Sequence, residues 1–241
     1  MKTIGLIGGM SWESSIEYYR IINETAKEKL GGLHSAKSLM VTVDFAEIEK
    51  LQHEDRWDEA GQILVKCAQD LERGGADFIV LCTNTMHKVA PAIESAVKIP
   101  LLHIADPTAA AIRKAGLSRI GLLGTRFTME QDFYRGRLVE RHGIDVLTPE
   151  ADDRELVHRV IYEELCLGRI EERSRQAYRD VMQRLVERGA QGIILGCTEI
   201  SMLVGEQDAS VPLFDTTAIH AAAAAELALA AVDSATPRAH M

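Results

Sequence analysis

Residues 75–84 read GADFIVLCTN, and residues 189–198 read GAQGIILGCT. Each joins a glycine to a short apolar run that ends in Cys-Thr, and this pair decides how the rest of the chain is read. An apolar run of this length between a glycine and a polar cluster fits a buried parallel strand. The pairing recurs outward from here. IGLIG from Ile4 matches IGLLG from Ile120, EYYR at 17–20 matches DFYR at 132–135, and IPLL at 99–102 matches VPLF at 211–214. Four matches in one order at a nearly constant offset mark an internal repeat. The plainer alternative is that any two βα units look alike.

Seven strands are expected, at 3–8, 38–43, 77–82, 100–105, 119–124, 191–196 and 211–214. Helical spacing covers 14–30, 59–73, 128–141, 155–167 and 173–188, with Gly74, Gly143 and Gly189 where C-terminal caps belong. Strands alternating with helices predict an α/β fold of two pseudosymmetric three-layer lobes with parallel sheets. Residues 1–106 plus 216–241 form the N-terminal lobe and 107–215 the C-terminal lobe. The active site is expected in the cleft between them, because ligands of open α/β sheets sit at the carboxyl ends of the strands.

The composition narrows the partners. Of 241 residues, 46% are apolar and 26% charged, the balance of a globular protein with a packed core. A formal charge of −9 gives no electrostatic support for binding nucleic acid or an anionic membrane. No apolar run approaches the ~20 residues that span a bilayer, and the amino terminus lacks a signal-peptide pattern, so a cytoplasmic protein is expected. Cys67, Cys82, Cys166 and Cys197 lack metal-ligand spacing and read as reduced thiols, with no metal site.

The repeat also sorts the reactive candidates. Its register pairs Cys197 with Thr83 and leaves Cys82 as a core thiol, since successive strand side chains point to opposite faces. Both motifs sit where a strand hands over to a helix, and there free N–H groups and the helix dipole favour anions. Asn84, Thr85, Thr198 and Glu199 are expected to hold a substrate, by its carboxylate or, for Glu199, by its ammonium group. The same field is expected to lower the Cys197 pKa and supply a thiolate, as nucleophile or base. The alternative for Cys197 is a small buried residue packing a strand end. Two opposed groups from equivalent positions suit racemisation or epimerisation, in which one removes a proton from carbon and the other delivers one to the opposite face.

GLIGGMSWES at 5–14, VDFAEIEKLQ at 43–52, NTMH at 84–87, GTRFTMEQDFYRGRL at 124–138 and GCTE at 196–199 together resemble the aspartate/glutamate racemase family. The resemblance covers nearly the whole chain. It implies a racemase that needs no cofactor, a small-molecule amino-acid substrate and a homodimer. It also implies substrate contacts from the Met10 backbone and from Gln52, placed in a polar loop that could act as a lid. Most of the family carries a cysteine before Asn-Thr in the first lobe. Thr83 stands there in this chain, which resembles the L-aspartate/glutamate-specific branch with a Thr/Cys pair. An alcohol is a poor base at neutral pH, so Cys197 is the expected base and Thr83 the expected proton donor or relay. Some relatives carry a lysine near the position of Cys166.

Other candidates read as structural. GLIGGMSWES lacks the GxGxxG spacing of a dinucleotide site, and Asp44 has no unambiguous nucleotide role. His87 reads as a satisfied core histidine, and His103 and His220 show no partner spacing. Two rivals remain. One is an isomerase or decarboxylase of a small diacid that uses Cys197 covalently; the other is a noncatalytic amino-acid-binding protein.

Overall fold

The computed structural model describes residues 1–233; the terminal stretch 234–241, assigned above to the N-terminal lobe, lies outside the described residues. The chain divides into two compact units. The first comprises Met1–Cys82, Val89–His103 and the chain from His220; the second comprises Thr83–Lys88 and Ile104–Ile219.

In chain order the elements of the first part are β1 (Ile4–Gly8), α1 (Trp12–Leu30), β2 (Ser38–Thr42), α2 (Phe45–His53), α3 (Trp57–Arg73), β3 (Phe78–Leu81), α4 (Ala90–Ala96) and β4 (Leu101–Leu102). There follow α5 (Ala105–Lys114), β5 (Arg119–Gly124), α6 (Arg126–Glu130), α7 (Asp132–His142), β6 (Asp145–Leu147), α8 (Ala151–Glu163) and α9 (Glu172–Glu187). The chain continues through β7 (Ile193–Gly196), α10 (Ile200–Leu203), β8 (Leu213–Asp215) and α11 (Thr216–Asp233). Two four-stranded sheets result, in the orders β2-β1-β3-β4 and β6-β5-β7-β8, and every pairing in them is parallel. All residues of the inner strands β1, β3 and β7 are buried, as expected of parallel strands covered on both faces.

The strand registers restate the repeat in physical terms. Gly5 faces Ile79 in the first sheet, and Gly121 faces Ile193 in the second. Ile79 then faces Leu101, and Ile193 faces Leu213. Equivalent hydrogen-bonded partners are therefore the residues that the sequence matches pair. Carried past the strand ends, this register makes Thr83 the counterpart of Cys197. It also makes Cys82 the counterpart of Gly196. A Cβ at Gly196 would lie 2.7 Å from the Leu123 carbonyl oxygen, so only glycine fits there, whereas the first sheet has room for the Cys82 side chain.

Each unit has its own core. Ile4, Leu6, Phe78 and Val80 of the first sheet pack with Tyr18 and Ile22 of α1 and with Ala221, Ala224 and Ala228 of α11. Leu122, Leu123, Ile193 and Ile194 of the second sheet pack with Tyr134 and Leu138 of α7 and with Tyr178, Val181 and Leu185 of α9.

Several local expectations are corrected. Eight strands are present among the described residues rather than seven: β6 is only three residues long, too short to show a pattern. The helix expected over 128–141 breaks at Gln131, which takes an extended backbone between α6 and α7. The helix expected over 155–167 starts at Ala151, and its last turn is a 3-10 turn at Leu165–Leu167. Gly143 and Gly189 have positive φ as cap glycines do, but Gly74 is right-handed and Gly75 takes the positive φ after α3.

Candidate active site

The turn after β1 is built by its glycines and serines. Gly9 has a φ of 93°, and a Cβ there would lie 2.2 Å from the Val43 carbonyl oxygen. Its N–H donates to Ser15 Oγ at 2.8 Å, and Ser11 caps α1 through Ser14 N–H. Such a cap contributes about 1 kcal/mol. Met10 is buried in this turn, in the first unit. Asp44 caps α2 by accepting from Ala46 N–H, which accounts for its carboxylate without a nucleotide.

Gln52 corrects an expectation. It lies within α2 and is buried, 3% exposed, so it is not part of a mobile polar loop. The polar letters QHEDRW suggested a loop, but Ile48 and Leu51 are buried on the same helix and carry Gln52 inward with them.

The first strand-end motif belongs to the second unit from Thr83 onward. Strand β3 ends at Leu81, and the chain turns through Thr83 and Asn84 into a 3-10 turn at Thr85–Val89. His87 fixes this turn. Its Nδ1 lies 2.7 Å from the Thr83 carbonyl oxygen, and its Nε2 accepts from Ile104 N–H at 3.1 Å. Because Nε2 is the acceptor, Nδ1 carries the proton and donates to Thr83. The Thr85 hydroxyl lies 2.9 Å from that of Thr125 and 3.4 Å from that of Thr128. Asn84 Nδ2 donates to Thr216 Oγ1 at 3.0 Å.

The second motif follows β7. Cys197 Sγ donates to Glu199 Oε2 at 3.0 Å, and Thr198 Oγ1 donates to the same oxygen at 2.7 Å. Glu199 is 4% exposed and Cys197 9%. Burial pushes the Cys197 thiol well above its ordinary range, and the Glu199 charge pushes the same way, followed by Cys166. This reverses the expected depression. The helix that was to lower the value, α10, has four residues, so its dipole is small, and a carboxylate sits against the sulfur. Cys82 is fully buried in the first core, where burial alone raises its thiol.

The structure thus brings Cys197, Thr198 and Glu199 into one hydrogen-bonded set and places Thr83, Asn84 and Thr85 in the same unit. Met10 and Gln52 belong to the other unit. Sequence reasoning missed Thr216, Thr125 and Thr128. The only local signal for Thr216 is its place in FDTT at the end of β8, equivalent to the end of β4. His220 also has partners: Tyr18 OH at 2.8 Å from Nδ1 and the Leu102 carbonyl oxygen at 2.8 Å from Nε2. Among the described residues there is no group of three or more His, Cys, Asp or Glu placed to hold a metal ion, and no helix is long and apolar enough to cross a membrane.

Two parallel sheets of identical strand order, with a thiol beside a carboxylate at the end of one inner strand and a hydroxyl at the equivalent end of the other, define an internally repeated α/β protein with groups capable of proton transfer at its strand ends. The family of Asp/Glu/Hydantoin racemases matches residues 7–224, and the chain belongs to it. A solved structure from Yersinia pestis, named for the Asp/Glu racemases, is 63% identical, covering 95% of this chain and 100% of that one at a TM-score of 0.89. An aspartate racemase homologue from Pyrococcus horikoshii OT3 is 34% identical, covering 95% and 99% at a TM-score of 0.81. The broad specificity amino-acid racemase RacX of Bacillus subtilis is 25% identical over 161 residues, 67% of this chain and 69% of the relative.

Proposed function

We propose that the protein racemises L-aspartate and L-glutamate without a cofactor, with Cys197 as the base and Thr83 as the donor or relay. The observation that carries this reading is the shared register, which sets the Thr83 hydroxyl and the Cys197 thiol at equivalent ends of β3 and β7. Family membership supports the reaction class.

The chemistry follows from the groups at hand. Glu199 Oε2, already the acceptor of the thiol proton, takes that proton, and the thiolate then removes the substrate α-proton. A solvent proton relayed through the Thr83 hydroxyl reaches the opposite face of the carbanion, and Glu199 returns its proton to solvent, which restores the starting thiol and carboxylate. The resting thiol is held protonated by burial and by the Glu199 charge. A substrate ammonium beside the sulfur favours thiolate over thiol, so the proton passes to Glu199 with substrate bound. Asn84, Thr85 and Thr198, with the Met10 backbone and Gln52, are proposed to bind the substrate.

The homodimer belongs to the same proposal. Trp12, Ile16 and Tyr19 of α1 and Met40 of the edge strand β2 are exposed and supply an apolar face for it, which sedimentation velocity tests. The main experiment incubates pure protein with L- and D-aspartate and L- and D-glutamate in deuterated water, after an absorbance spectrum. Deuterium at the α-carbon of the L substrates is expected. Its absence from all four overturns the racemase reading, and a pyridoxal band overturns the cofactor-free part.

A further inference from the structure

Asn84 stands in the first motif and Leu195 two residues before Cys197 in the second, and one hydroxyl touches both. Thr216 Oγ1 donates to the Leu195 carbonyl oxygen at 2.8 Å and accepts from Asn84 Nδ2 at 3.0 Å. A threonine hydroxyl has a single proton. A carbonyl oxygen can only accept, so Leu195 takes that proton and Thr216 can only accept from Asn84. The amide is thereby oriented, with Nδ2 toward Thr216 and Oδ1 away from it.

Thr216 is fully buried and Asn84 3% exposed. Asn84 Oδ1 nevertheless has no hydrogen-bond partner among the described residues, and neither does Thr217 Oγ1, the next side chain after Thr216. Buried polar atoms without partners are costly, and a bound ligand with matching groups removes the cost. An open carbonyl oxygen matches an N–H donor. This changes the part first expected of Asn84, which was to donate to a carboxylate.

We propose that Thr216 is a positioning residue, which holds the Asn84 amide with its carbonyl oxygen turned to the substrate α-ammonium group and ties that amide to the strand that leads to Cys197. The proposal rests on the reading of Asn84 as a substrate-binding residue of a racemase. It deepens that reading by assigning Asn84 the ammonium and by adding a residue that touches no substrate.

The test compares wild type with Thr216→Val, Thr216→Ala, Thr216→Ser, Asn84→Ala and the double variant Thr216→Val/Asn84→Ala. Thermal melting and α-deuterium exchange on L-aspartate are measured for each. Loss of an interaction made equally in the ground and transition states raises KM and spares kcat. Thr216→Val is expected to raise KM about tenfold with kcat within about threefold. Thr216→Ala does the same without valine's bulk and replaces it if Thr216→Val does not fold. Thr216→Ser keeps the hydroxyl and returns KM toward wild type. The double variant is no worse than Asn84→Ala, because the two residues act as one unit. An unchanged KM in the hydroxyl-deleting variants, a fall in kcat alone, or KM penalties that add in the double variant overturns the positioning role while the racemase reading stands. A wild type that exchanges no α-hydrogen overturns both.

Discussion

The ends of β3 and β7 occupy the same place in two sheets of the same order, yet they are built for different work. At the β3 end the side chain is an alcohol, and the backbone beneath it is held by His87. At the β7 end the side chain is a thiol, and what touches it is a carboxylate. The scaffold is repeated while the chemistry is not. In the proposed reaction the two groups act on the two faces of one carbon, and their inequality sets which face is deprotonated. The equilibrium between enantiomers is fixed by the substrates, so the asymmetry acts on rate alone.

The largest expected effect breaks the comparison at its thiol. Cys197→Ser is expected to lower α-deuterium exchange by at least about a hundredfold with melting little changed, because the hydroxyl keeps the volume and loses the base. Cys82→Ser, one residue out of register, is expected to keep activity within about twofold and to lose about 1–3 kcal/mol of stability for its buried hydroxyl. If Cys82→Ser abolishes exchange and Cys197→Ser does not, the pairing of the two strand ends is wrong.

Making the two ends alike is the next test. Thr83→Cys is expected to raise exchange into D-aspartate and D-glutamate by about tenfold or more, since a thiol is a feasible base where an alcohol is not. No gain, with L activity intact, removes Thr83 from the proton path.

Glu199→Gln addresses the carboxylate that distinguishes the β7 end. Glu199 raises the Cys197 thiol, so its neutral replacement lowers it, and thiolate persists to lower pH. The pH profile for iodoacetamide alkylation of Cys197, read by peptide mass spectrometry, is expected to move to lower pH. A profile that stays in place, or moves upward, contradicts the assigned cause.

The smallest effect concerns the β3 end's support. His87→Ala removes the partners of the Thr83 carbonyl and Ile104 N–H. A loss of about 1–3 kcal/mol is expected, which lowers the melting temperature by roughly 3–10 °C for a chain of this size. Melting equal to wild type would mean that the two groups find other partners.

Much of the fold could be read from the chain because strands and their repeat are local patterns. DFIVLC and QGIILG are apolar throughout most of their length since inner parallel strands are covered on both faces, and the matched registers follow from that. The same logic paired Thr83 with Cys197 and left Cys82 in the core. It failed where length or context decides. Three residues of β6 show no period, and QHEDRW looks like a loop although Gln52 is carried inward by its neighbours on α2.

The sequence by itself determined two α/β units, their equivalent strands and the identity of the paired residues at the strand ends, because backbone hydrogen bonding and side-chain alternation impose short periods on it. Only the tertiary structure decided the electrostatics and orientation of those residues. Glu199 follows Cys197 closely in the chain, but burial of both is what lets the carboxylate act strongly on the thiol. Asn84 and Thr216 are 132 positions apart, and no pattern in either neighbourhood announces the hydrogen bond that turns the amide. A protonation state or an amide's orientation depends on what else is brought within about 3 Å after folding, and that is a property of packing.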